Sequence, residues 1–238
     1  MALILDIGNT NLKIYQFQKN KIISSDIIAW KNFEPDNLLP LIKNNRKAFI
    51  LSVVPDKKEL IKNVLLEHQV DVNIIGEDLK PDLKIKVEEP SSVGIDRLLG
   101  AYGAFQIDQQ GAIVIDVGTA ITIDIITHKK EFLGGIIAPG LRTCAQALET
   151  SAPLLKGYNL FGEIALPGKS TGQAIRTGLV YLVAGGIEKV INQLKNKYGD
   201  LKVIATGGDF VNIQDYLSFE YEYNTDLLPQ AIIKLSHS

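Results

Sequence analysis

Residues 3–14 read LILDIGNTNLKI, and residues 113–124 read IVIDVGTAITID. In each stretch a short run rich in β-branched residues leads to Asp, an apolar residue, Gly and a small polar residue, and a second alternating run follows. Aligned on Asp6 and Asp116, the two stretches lie 110 residues apart. That spacing is too long for a solenoid repeat, so it predicts a duplicated domain.

The elements predicted after each opening also repeat. In the first half, residue patterns and short turns predict strands over 3–7, 12–18, 21–29, 48–54 and 72–75, with helices near 36–45 and over 56–69. In the second half they predict strands over 112–117, 120–127, 131–137 and 202–206, with helices around 141–150, over 171–198 and near 227–235. The polar segment 76–93 contains two prolines and is predicted to be a connecting or lid-like loop.

Three antiparallel strands followed by alternating helices and strands is the ribonuclease-H-like order. We therefore predict an α/β protein of two duplicated ribonuclease-H-like domains, residues 1–108 and 109–238.

Composition narrows the classes of partner and compartment. Hydrophobic residues make up 46% of the 238 residues and the net charge is −2, so no basic surplus favours binding to nucleic acid. No apolar run is long enough to predict a membrane-spanning helix, and the opening MALILDIGNTN lacks the basic region of a secretory signal. The single cysteine, Cys144, excludes an internal disulfide, and we expect a reducing, cytoplasmic location.

The two repeated openings predict β-hairpins that bind phosphate. An Asp at a strand end, followed by Gly in a tight turn, gathers backbone N–H groups in a concave hairpin that suits phosphate oxygens. Asp6 could hold a hydrated magnesium ion, and Lys13 adds a positive charge. The alternative is an ordinary turn whose Asp and Asn favour that conformation. The second copy, DVGTA, favours the phosphate interpretation, because two facing hairpins make a clamp.

Two further motifs are candidates for binding and catalysis. In ATGGDF (205–210), Gly-Gly after a strand leaves room for a flat ring such as adenosine to approach the backbone. The chain has no GxxxxGK[ST] motif, so hairpins must hold any nucleotide phosphates. VGIDRLLGAYGAF begins a predicted helix near Ile95, with Asp96 and Arg97 in its first turn.

The residue types at these helix starts leave alternatives open. Asp96 is either a carboxylate stabilised by the helix dipole or a general base that accepts the proton of an attacking alcohol. Arg97 suits either a surface ion pair or a substrate carboxylate. Thr171 could cap the long predicted helix, a role that Ser170 could share.

A DxG hairpin, a second DxGT hairpin and a late TGG, in this order, resemble the superfamily of actin, the sugar and acetate kinases and the heat-shock chaperone ATPases. Within that superfamily the chain resembles the type III pantothenate kinase family. The motifs that carry the resemblance span nearly the whole chain. They are DIGNTN (6–11), VGIDR (93–97), DVGTAIT (116–122), GGIIAPGL (134–141), STGQAIRTG (170–178) and TGGD (206–209).

The resemblance implies a kinase that phosphorylates pantothenate with ATP to 4'-phosphopantothenate, the first step of coenzyme A biosynthesis. It implies that the ATP site lies in the cleft between the two ribonuclease-H-like domains. It implies Asp96 as the catalytic base, Mg²⁺ with ATP, and a monovalent cation, K⁺ or NH₄⁺, at Asp116. The residues implied to bind ATP are Asp6, Ile7, Gly8, Asn9, Thr10, Asn11, Leu12, Lys13 and Thr119. The residues implied to bind pantothenate are Gly94, Ile95, Asp96, Arg97 and Thr171.

One departure and several alternatives stand beside this resemblance. The family often has a substrate-contacting tyrosine seven residues before the Gly of its GxDR motif, where this chain has Val87. A kinase for another small alcohol, such as a sugar, is the enzymatic alternative. A non-catalytic regulatory relative would be expected to lose Asp96 or a hairpin acid, and a filament or chaperone ATPase would need a longer chain.

The long predicted helix also predicts a homodimer. Its apolar residues, including Leu179, Leu182 and Val183, cover more than one face, so the helix must bury a second face. Gly178, Gly185 and Gly186 disfavour a helix interior, which close approach of another backbone would offset. The alternative is that this helix lies deep between the two halves of one chain.

Overall fold

Each repeated sequence forms the first two strands of a β-sheet in the computed structural model of the protein, which describes residues 1–159 and 161–237. The strands are β1 (Ala2–Ile7), β2 (Asn11–Gln18), β3 (Lys21–Ala29), β4 (Lys47–Ser52), β5 (Asp71–Ile74), β6 (Lys84–Ile85), β7 (Gly111–Val117), β8 (Ala120–Thr127), β9 (Glu131–Pro139), β10 (Lys202–Thr206) and β11 (Glu222–Tyr223). The helices are α1 (Leu39–Ile42), α2 (Pro55–Glu67), α3 (Ile95–Ile107), α4 (Leu141–Ser151), α5 (Thr171–Tyr198) and α6 (Leu227–Leu235).

Short 3-10 helices join several of these elements. They span Trp30–Asn32, Pro35–Leu38, Pro90–Ser92, Pro153–Leu155, Phe210–Asn212 and Gln214–Tyr216. Within the described ranges, none of the helices combines the length and apolar character needed to cross a membrane.

The chain divides into two compact units. Unit 1 holds residues 1–107, the short stretch Lys130–Phe132 and the residues from Asp226 onward, and unit 2 holds 108–129 and 133–225. This division differs from the predicted boundary after residue 108, because α6 belongs to unit 1 and not to the half in which the chain order puts it. The physical reason is packing: Ala231 and Ile232 of α6 are buried in one core with Ile4 of β1.

Unit 1 is a five-stranded sheet with helices on both faces. Its order is β3-β2-β1-β4-β5, with the first three strands antiparallel and β4 and β5 parallel to β1. Side chains alternate along β1, so Leu3 and Leu5 join one core with Leu65 of α2, whereas Ile4 joins the other core with Leu99 of α3. The short β6 pairs in parallel with Glu131–Phe132, which also belong to this unit.

Unit 2 repeats the opening with a different second half. Its strands follow the order β11-β10-β7-β8-β9, with β7 and β8 antiparallel and β10 parallel to β7. Ile113 and Ile115 of β7 pack with Val180, Ile187 and Ile191 of α5. Two sheets that begin with the same hairpin confirm the predicted α/β duplication.

Most predicted elements lie within one or two residues of the observed ones, and the differences have local causes. The helix predicted near 36–45 is a 3-10 turn followed by the single turn α1, in a stretch interrupted by Pro35 and Pro40. The segment 76–93 was predicted as a loop but contains β6 and a 3-10 turn. The two-residue strands β6 and β11 are too short for any periodicity to predict.

Candidate active site

The turn between β1 and β2, which we call hairpin 1, positions the first group of predicted residues. Ile7 pairs with Leu12, so Gly8 to Asn11 form the turn, closed by the N–H of Gly8 donating to the Asn11 carbonyl at 3.1 Å. The same register places Lys13 opposite Asp6, with Nζ 3.8 Å from Oδ2.

Asp6 is an acid in an unfavourable environment. Its side chain is 17% exposed. Burial raises the pKa of this carboxyl, the charge of Lys13 lowers it, and the charge of Asp96 raises it again. A buried carboxylate near a second carboxylate, with a lysine only at 3.8 Å, suits a bound cation.

The carboxylate of Asp6 suits a magnesium ion that takes its other ligands from water and a nucleotide. Among residues 1–159 and 161–237, no cluster of three or more His, Cys, Asp or Glu side chains is arranged to hold a metal. Mg²⁺ is usually bound by one or two carboxylates together with water and substrate phosphates. Asp6 therefore fits a magnesium ion that arrives with a nucleotide, not one held by the protein alone.

Asp96 lies in the first turn of α3, as predicted, and is near enough to Asp6 to influence its charge. Its Oδ1 accepts the backbone N–H of Arg97 at 2.9 Å. A Cβ on Gly94 would lie 2.5 Å from that same oxygen, so a side chain at position 94 would displace this carboxylate. The guanidinium of Arg97 lies 5.6 Å from the ring centroid of Phe132.

The turn between β7 and β8, hairpin 2, is the counterpart in unit 2. Val117 pairs with Ile121, so its turn has one residue fewer than hairpin 1 and is closed by Gly118 N–H donating to the Ala120 carbonyl at 3.0 Å. Asp116 occupies the position of Asp6, and the residue opposite it is the uncharged Thr122. Thr119 is exposed at the tip.

The Gly-Gly motif lies beside hairpin 2, because β10 is parallel to β7 and Thr206 is opposite Asp116. Gly207 has a φ of +91°, and a Cβ there would lie 2.4 Å from Oδ1 of Asp116. The Tyr223 hydroxyl donates to the Gly207 carbonyl at 3.0 Å. Burial and then the charge of Asp116 raise the pKa of Tyr223. The positive φ and the close approach to Asp116 therefore require glycine at position 207.

Sequence reasoning missed a contact between α4 and this loop. Arg142, the second residue of α4, forms an ion pair with Asp209 at 3.2 Å and lies 4.5 Å from the ring centroid of Phe161. A signal was present, because arginine is rare in this chain and Arg142 directly follows the motif GGIIAPGL.

A cavity of about 190 Å³ lies nearby in unit 2. Its lining is mixed: the apolar residues Leu141, Phe161, Ile164 and Val180 lie together with the charged residues Arg176 and Asp215.

At the start of α5, the two candidate caps have separate positions. Ser170 is the N-cap, and its Oγ accepts the N–H of Gln173 at 3.3 Å. Thr171 is the first helical residue and is exposed. The alternative that Thr171 caps the helix is therefore wrong, because Ser170 does so.

Two sheets, each opened by an Asp-x-Gly hairpin, define the fold class of the two-domain sugar kinases. A structure described as a Baf family transcriptional activator from Campylobacter jejuni is similar over 99% of this chain and 97% of its own, with a TM-score of 0.62 and 24% identity. An N-acetylglucosamine kinase structure from Porphyromonas gingivalis covers 100% of this chain and 99% of its own, with a TM-score of 0.53 and 12% identity. These likenesses show the fold.

Sequence comparison identifies the particular family. The family model for type III pantothenate kinase matches residues 2–193. A type III pantothenate kinase from Agathobacter rectalis is 33% identical over 87% of this chain and 86% of its own length. One from a Sulfurihydrogenibium species is 32% identical over 94% of each. The chain belongs to the type III pantothenate kinase family.

Proposed function

We propose that this protein transfers the γ-phosphoryl group of ATP to the primary hydroxyl of pantothenate, giving 4'-phosphopantothenate for coenzyme A biosynthesis. The observation that carries the proposal is the match of residues 2–193 to the type III pantothenate kinase family, in a chain with Asp6 near the end of β1 and Asp96 in the first turn of α3. One carboxylate suits a base, and the other suits a magnesium ion.

In this proposal Asp96 is the catalytic base. Its Oδ1 is oriented by the N–H of Arg97, and its carboxylate accepts the proton of the attacking hydroxyl. Arg97 binds the carboxylate of pantothenate, with Gly94, Ile95 and Thr171 in the same pocket. The exposure of Thr171 and its release from capping support that role.

ATP is assigned to hairpin 1, residues Asp6 to Lys13, and to Thr119 of hairpin 2. Magnesium bound with ATP would neutralise charge on the phosphate oxygens. Lys13 contributes a positive charge beside Asp6. No backbone carbonyl within the described ranges accepts the N–H groups of Asn9, Thr10 and Thr119, which supports their assignment to phosphate oxygens.

The adenosine end is assigned to unit 2. Gly208 has open space where a Cβ would be, and the lining of the unit 2 cavity includes Phe161, an aromatic ring on which a base could stack. This assignment extends the expectation that a flat ring approaches the ATGGDF backbone.

Asp116 is proposed to hold a monovalent cation, K⁺ or NH₄⁺. The support is the contrast with hairpin 1: Lys13 lies opposite Asp6, whereas the uncharged Thr122 lies opposite Asp116. A monovalent cation would supply in hairpin 2 the charge that lysine supplies in hairpin 1.

We further propose a homodimer built on α5. Leu182 is 76% exposed and Tyr181 is 45% exposed, and nothing lies within 4 Å of where a Cβ would stand on Gly178, Gly185 or Gly186. An exposed apolar face of this kind is one that a second copy of the chain would cover. Gly185→Leu should shift the protein toward monomer in sedimentation and weaken activity, and a fully active monomeric wild type would contradict the dimer.

For location we propose the cytoplasm, since the one thiol of the chain, Cys144, is free and partly exposed.

The activity is tested by incubating the purified protein with ATP, magnesium and pantothenate and measuring ADP and the phosphorylated product. Omitting pantothenate controls for ATP hydrolysis. Because Val87 stands where the family often has a tyrosine, other small alcohols, including sugars, belong in the same assay. Faster transfer to one of these alcohols would show that this alcohol, and not pantothenate, is the substrate. No transfer to any of them would contradict the kinase assignment.

A further inference from the structure

Three successive carbonyl groups at the tip of hairpin 1 accept hydrogen bonds from two residues outside the hairpin, Trp30 and Lys57. The indole N–H of Trp30 donates to the Gly8 carbonyl at 2.8 Å. Nζ of Lys57 donates to the Asn9 carbonyl at 2.8 Å. The backbone N–H of Trp30 donates to the Thr10 carbonyl at 3.1 Å. The orientation of the whole tip is therefore fixed by Trp30 and Lys57.

These contacts also determine where the tip N–H groups point. In a trans peptide unit the C=O and the following N–H point in opposite directions. The Gly8 carbonyl shares a peptide unit with the Asn9 N–H, and the Asn9 carbonyl shares one with the Thr10 N–H. When the two carbonyls are held by Trp30 and Lys57, both N–H groups face away from them. No backbone carbonyl within the described ranges accepts either N–H group.

The two side chains also support each other. Nζ of Lys57 lies 4.5 Å from the ring centroid of Trp30, a cation–π distance. The Trp30 ring packs edge-on against Phe33 at 5.1 Å and lies against the core beneath the sheet. Lys57 is held on α2, near the start of that helix. The pair is thus anchored on elements outside the hairpin, so it can hold the tip in one geometry before any ligand binds.

We propose that Trp30 and Lys57 are positioning residues for phosphoryl transfer, which orient the N–H groups of Asn9 and Thr10 toward the phosphates of ATP. The inference rests on the proposed function, because it takes ATP as the ligand of hairpin 1. Neither side chain touches the nucleotide in this account. Each acts by holding a carbonyl on the far side of the tip.

The test uses conservative variants and two measurements. Trp30→Phe keeps an aromatic ring against Phe33 and beside Lys57 but removes the indole N–H. Lys57→Met keeps the apolar stem but removes the donor. Lys58→Met is the matched control, because the neighbouring Lys58 pairs with Glu77 and not with the hairpin. Calorimetry measures the Kd of MgATP without pantothenate, and kinetics measure kcat and the KM of each substrate.

We expect Trp30→Phe and Lys57→Met each to raise the Kd and the KM for ATP about fivefold, the loss expected for one hydrogen bond. The KM for pantothenate should stay at the wild-type value, and Lys58→Met should match wild type in every constant. A merely structural role would instead raise both KM values together or lower the thermal midpoint without changing ATP affinity.

The outcomes separate this inference from the proposed function. Wild-type affinity for ATP in both Trp30→Phe and Lys57→Met would overturn the positioning role. A wild type that binds ATP but transfers nothing to pantothenate would overturn the proposed substrate and leave the Kd comparison as the test of positioning. A wild type that binds no ATP would overturn both.

Discussion

The two hairpins have related backbones, but the residues that hold their turns in place differ. In unit 1 the residue after the third strand is Trp30, whose N–H donates to the Thr10 carbonyl at 3.1 Å. In unit 2 the residue after the third strand, β9, is Gly140, whose N–H donates to the Thr119 carbonyl at 2.9 Å. The donor of this backbone hydrogen bond is therefore a tryptophan, with the largest side chain, in unit 1 and a glycine, with no side chain, in unit 2.

The difference follows from how closely the supporting chain approaches each turn. A Cβ on Gly140 would lie 2.0 Å from the Gly118 carbonyl, so the backbone itself occupies the space. In unit 1 the corresponding residue has a side chain, and the indole N–H of Trp30 donates to the Gly8 carbonyl at 2.8 Å. Unit 2 adds a second donor, the Thr143 hydroxyl, 2.6 Å from the Thr119 carbonyl. The two units therefore share this backbone hydrogen bond but differ in the side chains that hold the turn in place.

The largest expected effect comes from removing the acid that unit 1 places near its hairpin. Asp96→Asn should lower the turnover of pantothenate by about 10²–10⁴ with an unchanged fold, because the general base is lost. Asp56→Asn is the matched control, since Asp56 is also an acid in the first turn of a unit 1 helix. Equal activity of the two variants would mean that Asp96 is only a helix-start carboxylate.

The second prediction breaks the support of hairpin 2. Gly140→Ala should lower the free energy of unfolding by about 1–3 kcal/mol, the range for overpacking, because its methyl group meets the Gly118 carbonyl. Gly118→Ala is the control, since its Cβ would meet only the Ala120 carbonyl at 3.9 Å. Urea unfolding of both variants measures the difference, and a Gly140→Ala as stable as Gly118→Ala would show that the approach is looser.

The third prediction makes hairpin 2 resemble hairpin 1. The wild type should turn over several-fold faster in potassium than in sodium or choline at constant ionic strength. Thr122→Lys places an ammonium opposite Asp116, as Lys13 stands opposite Asp6, and should remove that preference. The measurement is the initial rate of the wild type and of Thr122→Lys in each of the three salts. A wild type with equal rates in all three would contradict a monovalent cation at Asp116.

The smallest expected effect concerns the stability of hairpin 1. The pKa of Asp6 is raised above 3.8 in the folded protein, chiefly by burial, so ionised Asp6 destabilises the fold at neutral pH. Asp6→Asn should therefore be more stable than wild type at pH 7, and the advantage should shrink as the pH falls through the folded pKa. Unfolding free energies between pH 7 and about pH 4 measure this. A variant less stable than wild type at pH 7 would show that the Lys13 pairing outweighs burial.

The sequence predicted what depends on short-range pattern. The hairpins, and hence the Asp6–Lys13 pairing, follow from β-branched alternation around a glycine turn. The position of Asp96 at a helix start follows from local pattern in the same way.

The features that the sequence did not predict depend on tertiary packing. The placement of α6 in unit 1 rests on contacts of Ala231 with residues more than 100 positions earlier, which no local pattern encodes. The roles of Trp30 and Lys57 depend on α2 reaching the tip of hairpin 1. The one signal available was that the only tryptophan of the chain directly follows the third predicted strand.

The placement of α6 also has a consequence for synthesis on the ribosome. Chains fold as they emerge, yet unit 1 lacks α6 until all of unit 2 has been made. Until then the apolar face formed by Ile4, Phe49 and Leu99 is missing its partner Ile232. The nascent chain thus already carries both hairpins and Asp96 while α3, the helix that presents Asp96, still lacks the helix packed against it. We expect nascent chains stalled before Asp226 to bind chaperones that recognise exposed apolar surface, and completed chains to be released from them.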